Sequence, residues 1–340
     1  MVNLTENPAM HFRHAAVATL LSAALAGSLA GAAEPAALEL GQTIPLESGT
    51  GRYDHLALDN AHGRLFLANL SNNSLDVVDL RAGKLVKQVP NQKKIQGVAY
   101  APDLDRIFVG NGGDGACRVF DGKDYALVKS IPVPDADNVR YRADTHTVYV
   151  TGEDGLTVID AKAMTVRTTV RLPGPPEAHQ LDSARDRLFV NTHKPAQVAV
   201  VDLEANKVTA EYKLESAEAN YPMALDPDGG RVFVGCRKKP CVVALDSKTG
   251  KELAVVSIPG DTDDLYYDAK RKRLYAICGE GSIAVVEERG PAEFKLAGTI
   301  LTAKLARTGL FDPKGGRLFV VVPRQSSSVG PELRVYHAKP

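Results

Sequence analysis

Apolar and polar positions along the chain alternate in short runs bounded by turn residues, the period-2 signature of half-buried β-strands. One run recurs: Arg64-Leu-Phe-Leu, Arg106-Ile-Phe-Val, Thr147-Val-Tyr-Val, Arg187-Leu-Phe-Val, Arg231-Val-Phe-Val, Arg273-Leu-Tyr-Ala and Arg317-Leu-Phe-Val. Successive copies start 42, 41, 40, 44, 42 and 44 residues apart. Each is followed by a turn-rich stretch and another strand (LDVVD, CRVFD, LTVID, VAVVD, VVALD, IAVVE, LRVYH), and most by one more, such as KLVKQVP or TVRTTVRLP. Each is preceded by a short apolar strand: HLALD, GVAYA, NVRYR, HQLD, MALD, LYYD, LFD. Four short strands repeating about every 40–45 residues make a propeller blade, and a lone blade cannot bury both faces, so the stack must close into a ring. The pattern predicts an all-β fold, a seven-bladed β-propeller. The seventh copy ends one strand short at LRVYHAKP, while residues 38–46 (LELGQTIPL) supply a spare strand. That N-terminal strand is expected to complete the last blade and latch the ring.

Ahead of the repeats lies AAVATLLSAALA, preceded by His11, Arg13 and His14 and followed by the small residues of GSLAGAAE. This is the charged, apolar and small-residue succession of a secretory signal, and the apolar run is too short for a stable membrane anchor. The expected organisation is a signal peptide over residues 1–33 and a single propeller domain over 34–340, in a periplasmic or secreted protein. An uncleaved anchor is the alternative. The domain of about 307 residues gives roughly 44 per blade. With 41 basic against 41 acidic residues, the chain lacks the long-range field that steers proteins to polyanions. No nucleic-acid partner is expected, no later segment has the length and apolarity of a membrane span, and a monomer is expected.

Two sets of aspartates recur. Asp79, Asp121, Asp160, Asp202 and Asp246 close strands and open turns such as Asp79-Leu-Arg-Ala-Gly83. Asp59, Asp182, Asp226, Asp268 and Asp312 fall between the first and second strands. Both sets read as structural, because an Asp carboxylate accepts nearby backbone N–H groups and starts a turn.

Blade three carries Tyr149-Val150-Thr151-Gly152 followed by LTVID. With the D-x-x-x-G turns and the signal segment, this resembles the YVTN-repeat, YncE-like family of bacterial periplasmic β-propellers over about residues 38–340. The resemblance implies architecture rather than activity, since its motifs are strand and turn residues. Family members mostly have no assigned function. A DNA-binding role has been associated with YncE-like propellers, and the neutral charge and absence of Trp give it no support here.

In a propeller the first strand of each blade lines the central channel, and the loops leading into it share a face with the turns between second and third strands. Ten and nine residues before each copy of the recurring run stand Asp54-His55, Gln96-Gly97, Asp137-Asn138, Glu177-Ala178, Tyr221-Pro222, Asp263-Asp264 and Arg307-Thr308. Arg140 and His179 follow closely on their strands. The candidate ligand-binding residues are therefore Asp54, His55, Gln96, Asp137, Asn138, Arg140, Glu177, His179, Tyr221, Asp263, Asp264 and Arg307. Carboxylates crowded round a mouth raise one another's pKa unless a cation relieves them. Three readings stand open: a rim balanced internally by Arg140 and Arg307, a site for a small polar ligand or an exported protein, and a divalent metal site. The metal set would be Asp54, His55, Glu177, His179 and Asp263 (or Asp264), a His/carboxylate mixture suited to transition metals. On fold analogy alone, Glu177, Asn138 and Asp264 would imitate the carboxylate and amide ligands of gluconolactonase and regucalcin propellers.

Of the four cysteines, Cys236 and Cys241 flank Arg-Lys-Lys-Pro and make a candidate hairpin disulfide, with Cys236–Cys278 between blades as rival. Neither G-x-S-x-G nor a phosphate-binding P-loop is present, and Asn111-Gly-Gly-Asp-Gly115 reads as a wide hairpin turn. The basic run Arg237-Lys238-Lys239 reads as a solvated rim or a small anion patch. The expected function is a ligand- or protein-binding module acting through the channel face. The alternative is a metal-assisted lactonase or hydrolase at the channel mouth. A quinoprotein dehydrogenase is disfavoured because those propellers dock their blades with repeated Trp.

Overall fold

A computed structural model of the chain describes residues 37–46 and 51–340; the proposed signal peptide lies outside them. The described residues build seven four-stranded antiparallel sheets. A spare strand, β1 (Leu38–Pro45), precedes the first blade, formed by β2 (Leu56–Asp59), β3 (Arg64–Asn69), β4 (Ser74–Asp79) and β5 (Lys84–Val89). All seven copies of the recurring run open the second strand of a blade. The last sheet comprises Gly309–Asp312, Arg317–Val322 and Glu332–Ala338, with β1 outermost. β1 pairs from Leu38 opposite Ala338 to Pro45 opposite Glu332, with one register shift between Leu40 and Gln42. The N-terminal strand thus closes the last blade, as expected from the arithmetic of the repeats. No helix among the described residues is long and apolar enough to cross a membrane.

The core is not one mass but seven clusters, each shared by two adjacent blades. The cluster joining blade seven to blade one contains Ile44 and Phe319 together with Leu56 and Leu65, so the hydrophobic seam runs unbroken round the ring. Every recurring run contributes its aromatic: Phe66, Phe108, Phe189, Phe233, Tyr275 and Phe319 are wholly buried and Tyr149 nearly so. Burying each such side chain stabilises by about 1.5–3 kcal/mol. Packed Phe and Tyr thus stand in these seams without Trp.

The aspartates between first and second strands do more than start turns. Asp59, Asp182, Asp226 and Asp312 are almost fully buried and hold the arginine that opens the next strand: Arg64 at 2.8 Å, Arg187 at 2.9 Å, Arg231 at 2.9 Å and Arg317 at 2.8 Å. Those guanidinium groups lie 5.0–5.8 Å from the centres of Phe66, Phe189, Phe233 and Phe319. One Asp–Arg–aromatic unit therefore recurs in four of the seven blades, its charge satisfied internally. The other aspartate set behaves as expected: Asp79 Oδ1 accepts the N–H groups of Arg81 and Ala82 at 2.8 and 2.9 Å. Gly83 follows at φ 63°, a conformation a side chain would strain.

Candidate functional site

The residues leading into the innermost strands are held by a repeated backbone pattern. Asp54 N–H donates to Ala68 O and Ala68 N–H to His55 O; Asp137 N–H donates to Thr151 O and Thr151 N–H to Asn138 O. The pairs Asp54-His55 and Asp137-Asn138, matched by counting, are therefore held in the same way. Gly97 makes the approach between blades two and three possible, because a Cβ there would lie 1.9 Å from the Asp137 carbonyl oxygen.

Two groups of side chains meet at this mouth. In the first, His55 reaches across the channel and sits 3.7 Å from Asp54 and 3.5 Å from Asp264. The second Asp264 oxygen accepts Gly309 N–H at 2.8 Å. Burial opposes charge on His55, but Asp264, Asp54 and Asp137 outweigh it and lift the imidazole to about 10. His55 is thus an imidazolium at neutral pH. Burial, reinforced by Asp137, Asp263 and Asp264 against the relief from His55, lifts Asp54 to about 7.

The second group is a ladder across blades four to seven. Glu177 Oε1 lies 3.0 Å from His193 Nδ1 without the alignment of a hydrogen bond. The His193 ring stacks on Tyr221 with centroids 5.5 Å apart and 19° between planes. Arg237 covers the Tyr221 ring at 4.0 Å and pairs with Asp263. Asp263 is paired again by Arg307 at 2.8 Å, and Arg307 also meets Asp261 at 2.9 Å. Burial raises Asp263 although Arg237 and Arg307 oppose it. Burial likewise raises Asp137 against His55 and Gln96. Glu177 is pushed up to about 8 by burial and by Asp137 and Asp263, while burial beside Lys194 holds His193 below the usual histidine range.

A cavity of about 590 Å³ opens beside the ladder, over blades two to four; Asp135, Asp137, Glu153, Asp154 and Glu177 line it with Gln96, Lys94 and His193. Lys94 is taken by Asp135 at 2.7 Å. The neighbouring Asn138 is 2% exposed; its Nδ2 donates to Asp137 Oδ1 at 3.4 Å, and its Oδ1 has no partner.

Several sequence expectations need correction. The proposed metal set does not assemble: among the described residues no group of three or more His, Cys, Asp and Glu side chains is placed to hold an ion. Both His55 nitrogens face carboxylates, Asp263 is held by two arginines, and Glu177 sits with His193. The calcium-like set fares no better, since Glu177 and Asp264 belong to different groups. His179 is not on the rim. It occupies the strand position filled elsewhere by Leu56, Val98, Val139, Met223 and Leu265, is wholly buried, and burial beside Arg140 and His55 keeps it neutral. Arg140 lies deeper in the channel and balances no rim carboxylate at ion-pair distance. Arg307 does balance the rim, joined by Arg237. Arg237 and His193 were not among the predicted site residues, although both stand six residues after the start of their recurring runs. Counting forward as well as back finds them, and finds Glu153 at the same offset in blade three.

The four cysteine thiols are free and buried. Cys236 and Cys241 are directly opposed across their hairpin and pack in the blade four–five seam. Cys278 packs in the blade five–six seam. The sheet of blade five separates it from Cys236, so the rival pairing is set aside by geometry.

The fold and the mouth define the class of protein: a seven-bladed β-propeller with an acid-rich channel face. No family model matches the chain. Over most of its length it is a distant homologue of the YncE proteins. It is 24% identical to the uncharacterized YncE protein of Salmonella typhi, with 94% of this chain and 96% of that protein covered. With the YncE protein of Escherichia coli K12 it shares 24% identity over 74% of this chain and 77% of the relative. Among solved structures, a chain of Kuenenia stuttgartiensis hydrazine synthase matches with a TM-score of 0.72 at 16% identity, covering 85% of this chain and 96% of that one, a likeness of fold alone.

Proposed function

We propose that this is an exported propeller that binds a small, positively charged polar molecule at its channel mouth and does not transform it. One observation carries the reading: Asp137 and Glu177 face one cavity and neither is paired with a lysine or arginine at ion-pair distance. Lys94 is committed to Asp135, Arg237 and Arg307 are committed to Asp263 and Asp261, and His193 is held neutral. An ammonium or guanidinium group supplies both the charge and the N–H donors. The cavity volume of about 590 Å³ suits a small molecule.

Because Glu177 holds a proton near neutrality in the free protein, a bound cation displaces it. Binding therefore tightens as pH rises toward about 8. Isothermal titration with putrescine and spermidine, against neutral diols of matched length, tests this in two buffers of different ionisation enthalpy. Amine binding with proton release, weakened at least tenfold by Asp137→Asn/Glu177→Gln, is the expected result. Equal binding of amines and diols, or none of either, overturns it. For export, the N-terminus of protein recovered from the cell envelope is expected to begin near residue 34; an unprocessed cytoplasmic chain refutes that part.

A further inference from the structure

Below the mouth, the channel holds a second cavity of about 280 Å³. Six of its wall residues, Ala57, Ala99, Arg140, Gln180, Tyr266 and Leu310, each lie seven residues before the start of their recurring run. They form one layer of the propeller, three residues further along the innermost strands than the acidic rim. Arg140 is the single charged residue among these six.

Its state is unusual for this protein. Arg142, two residues on, is held by Asp144 at 2.8 Å and Asp186 at 2.7 Å. Arg64, Arg187, Arg231 and Arg317 each have a buried aspartate. Among the described residues Arg140 makes one hydrogen bond, from Nη1 to the adjacent Val139 carbonyl at 3.1 Å, and being part-exposed it turns its remaining N–H donors to the cavity. The other polar groups on the wall are committed elsewhere. Gln180 Nε2 donates to Met223 O at 2.7 Å and Tyr266 Oη to Gly309 O at 2.8 Å. Asp264 is taken by His55 and Gly309 N–H. His55, at the top of the same cavity, is already paired with Asp264, which leaves Arg140 as the cation open to a ligand.

We infer that this lumen is a small-anion site, in which the planar Arg140 guanidinium receives a short-chain carboxylate beneath His55. A planar fork of N–H donors matches a carboxylate with two parallel hydrogen bonds, which a lysine in that place would not reproduce. The alanines at two wall positions leave room for the ligand, and the cavity volume restricts it to a small acid rather than a nucleotide. The site is separate in its residues from the cavity proposed for the cation, and neither proposal requires the other.

The test titrates the mature propeller with sodium acetate and sodium succinate, and with sodium chloride at matched ionic strength. Thermal midpoint and the Arg140 Nε–Hε resonance are followed together. The expected result is a saturable shift of both signals with a carboxylate and not with chloride. Arg140→Gln is expected to weaken the apparent Kd at least tenfold and Arg140→Lys to weaken it by a smaller factor, while Lys162→Gln, at an exposed turn, leaves it unchanged. A response that fails to saturate, that chloride matches, or that survives unchanged in Arg140→Gln overturns the inference. If Arg140→Gln does not fold, unchanged affinity in Arg140→Lys is the overturning result.

Discussion

Glu177→Gln is the substitution that probes the mouth most directly. The Glu177 side chain is 22% exposed and faces Asp137 and Asp263, which raise it, and Arg237 and His55, which lower it, beside a neutral His193. Its carboxyl moves from an ordinary 4.5 to about 8 on folding. A carboxyl raised on folding makes the folded state bind the extra proton between those two values. Stability therefore falls as pH rises through that window and levels off above about 8. At about 1.4 kcal/mol per pH unit, the full displacement sets an upper bound of about 5 kcal/mol. Partial exposure and the concurrent titration of Asp54 reduce this, so roughly 2 kcal/mol is expected. Glutamine keeps the shape and removes the charge. Urea unfolding of wild type and Glu177→Gln between pH 5 and pH 9 measures the difference. The variant should gain on wild type by roughly 2 kcal/mol between the ends of that range, with the gain confined below about pH 8. Parallel stability curves would refute the assignment of a half-buried carboxyl raised by its acidic neighbours.

The repeated Asp–Arg unit predicts that Arg231→Leu, which strands Asp226 and Glu288 near one another, destabilises by about 3–5 kcal/mol in denaturant unfolding; a loss below 1 kcal/mol would show the pair to be ornamental. Ile44→Ala removes a wholly buried side chain from the closing seam and should cost about 2–5 kcal/mol, with earlier proteolytic cleavage near the N-terminal strand. Cys236 and Cys241 should join when the protein is treated with glutathione disulfide, and peptide mapping should find Cys278 in no bridge; a Cys236–Cys278 peptide would contradict the seam assignment.

The fold was legible because its evidence is periodic. Seven runs at near-constant spacing, each with an arginine or threonine, a branched residue and an aromatic, mark the second strand of every blade, and the structure starts a strand at each. The mouth was half legible. Counting back found Asp54, Asp137, Glu177 and Asp263 because the rim position keeps a ten-residue offset from the recurring run, although the innermost strands run from four to nine residues. His179 was misplaced because a histidine in an apolar position gives no sign of which way it points. Adjacent strand positions face opposite ways, so one residue separates the lumen side from the seam between blades. Arg237 was passed over because three consecutive basic residues read as a solvated turn, whereas stacking on Tyr221 and pairing with Asp263 turn one of them inward.

The neutral formal charge of the chain hides an ordered distribution along the channel axis. In the blades, positive and negative charges cancel in buried Asp–Arg pairs and carry no field outward. In the mouth layer, four of the seven matched positions are carboxylates, and two arginines relieve only one of the four. Three residues further along the same strands, one arginine stands without a carboxylate. Both imbalances line cavities where the side chains are only part-exposed, so an uncompensated charge is less fully solvated and a matching ligand is correspondingly favoured. Placing acids in one layer and the lone cation in another, rather than pairing Arg140 with Asp137 just ahead of its strand, forgoes the internal neutralisation that the chain achieves at Arg64, Arg142, Arg187, Arg231 and Arg317. That departure from its own repeating solution marks the channel axis, rather than the blade exteriors or the turns, as the place where this propeller meets its ligands.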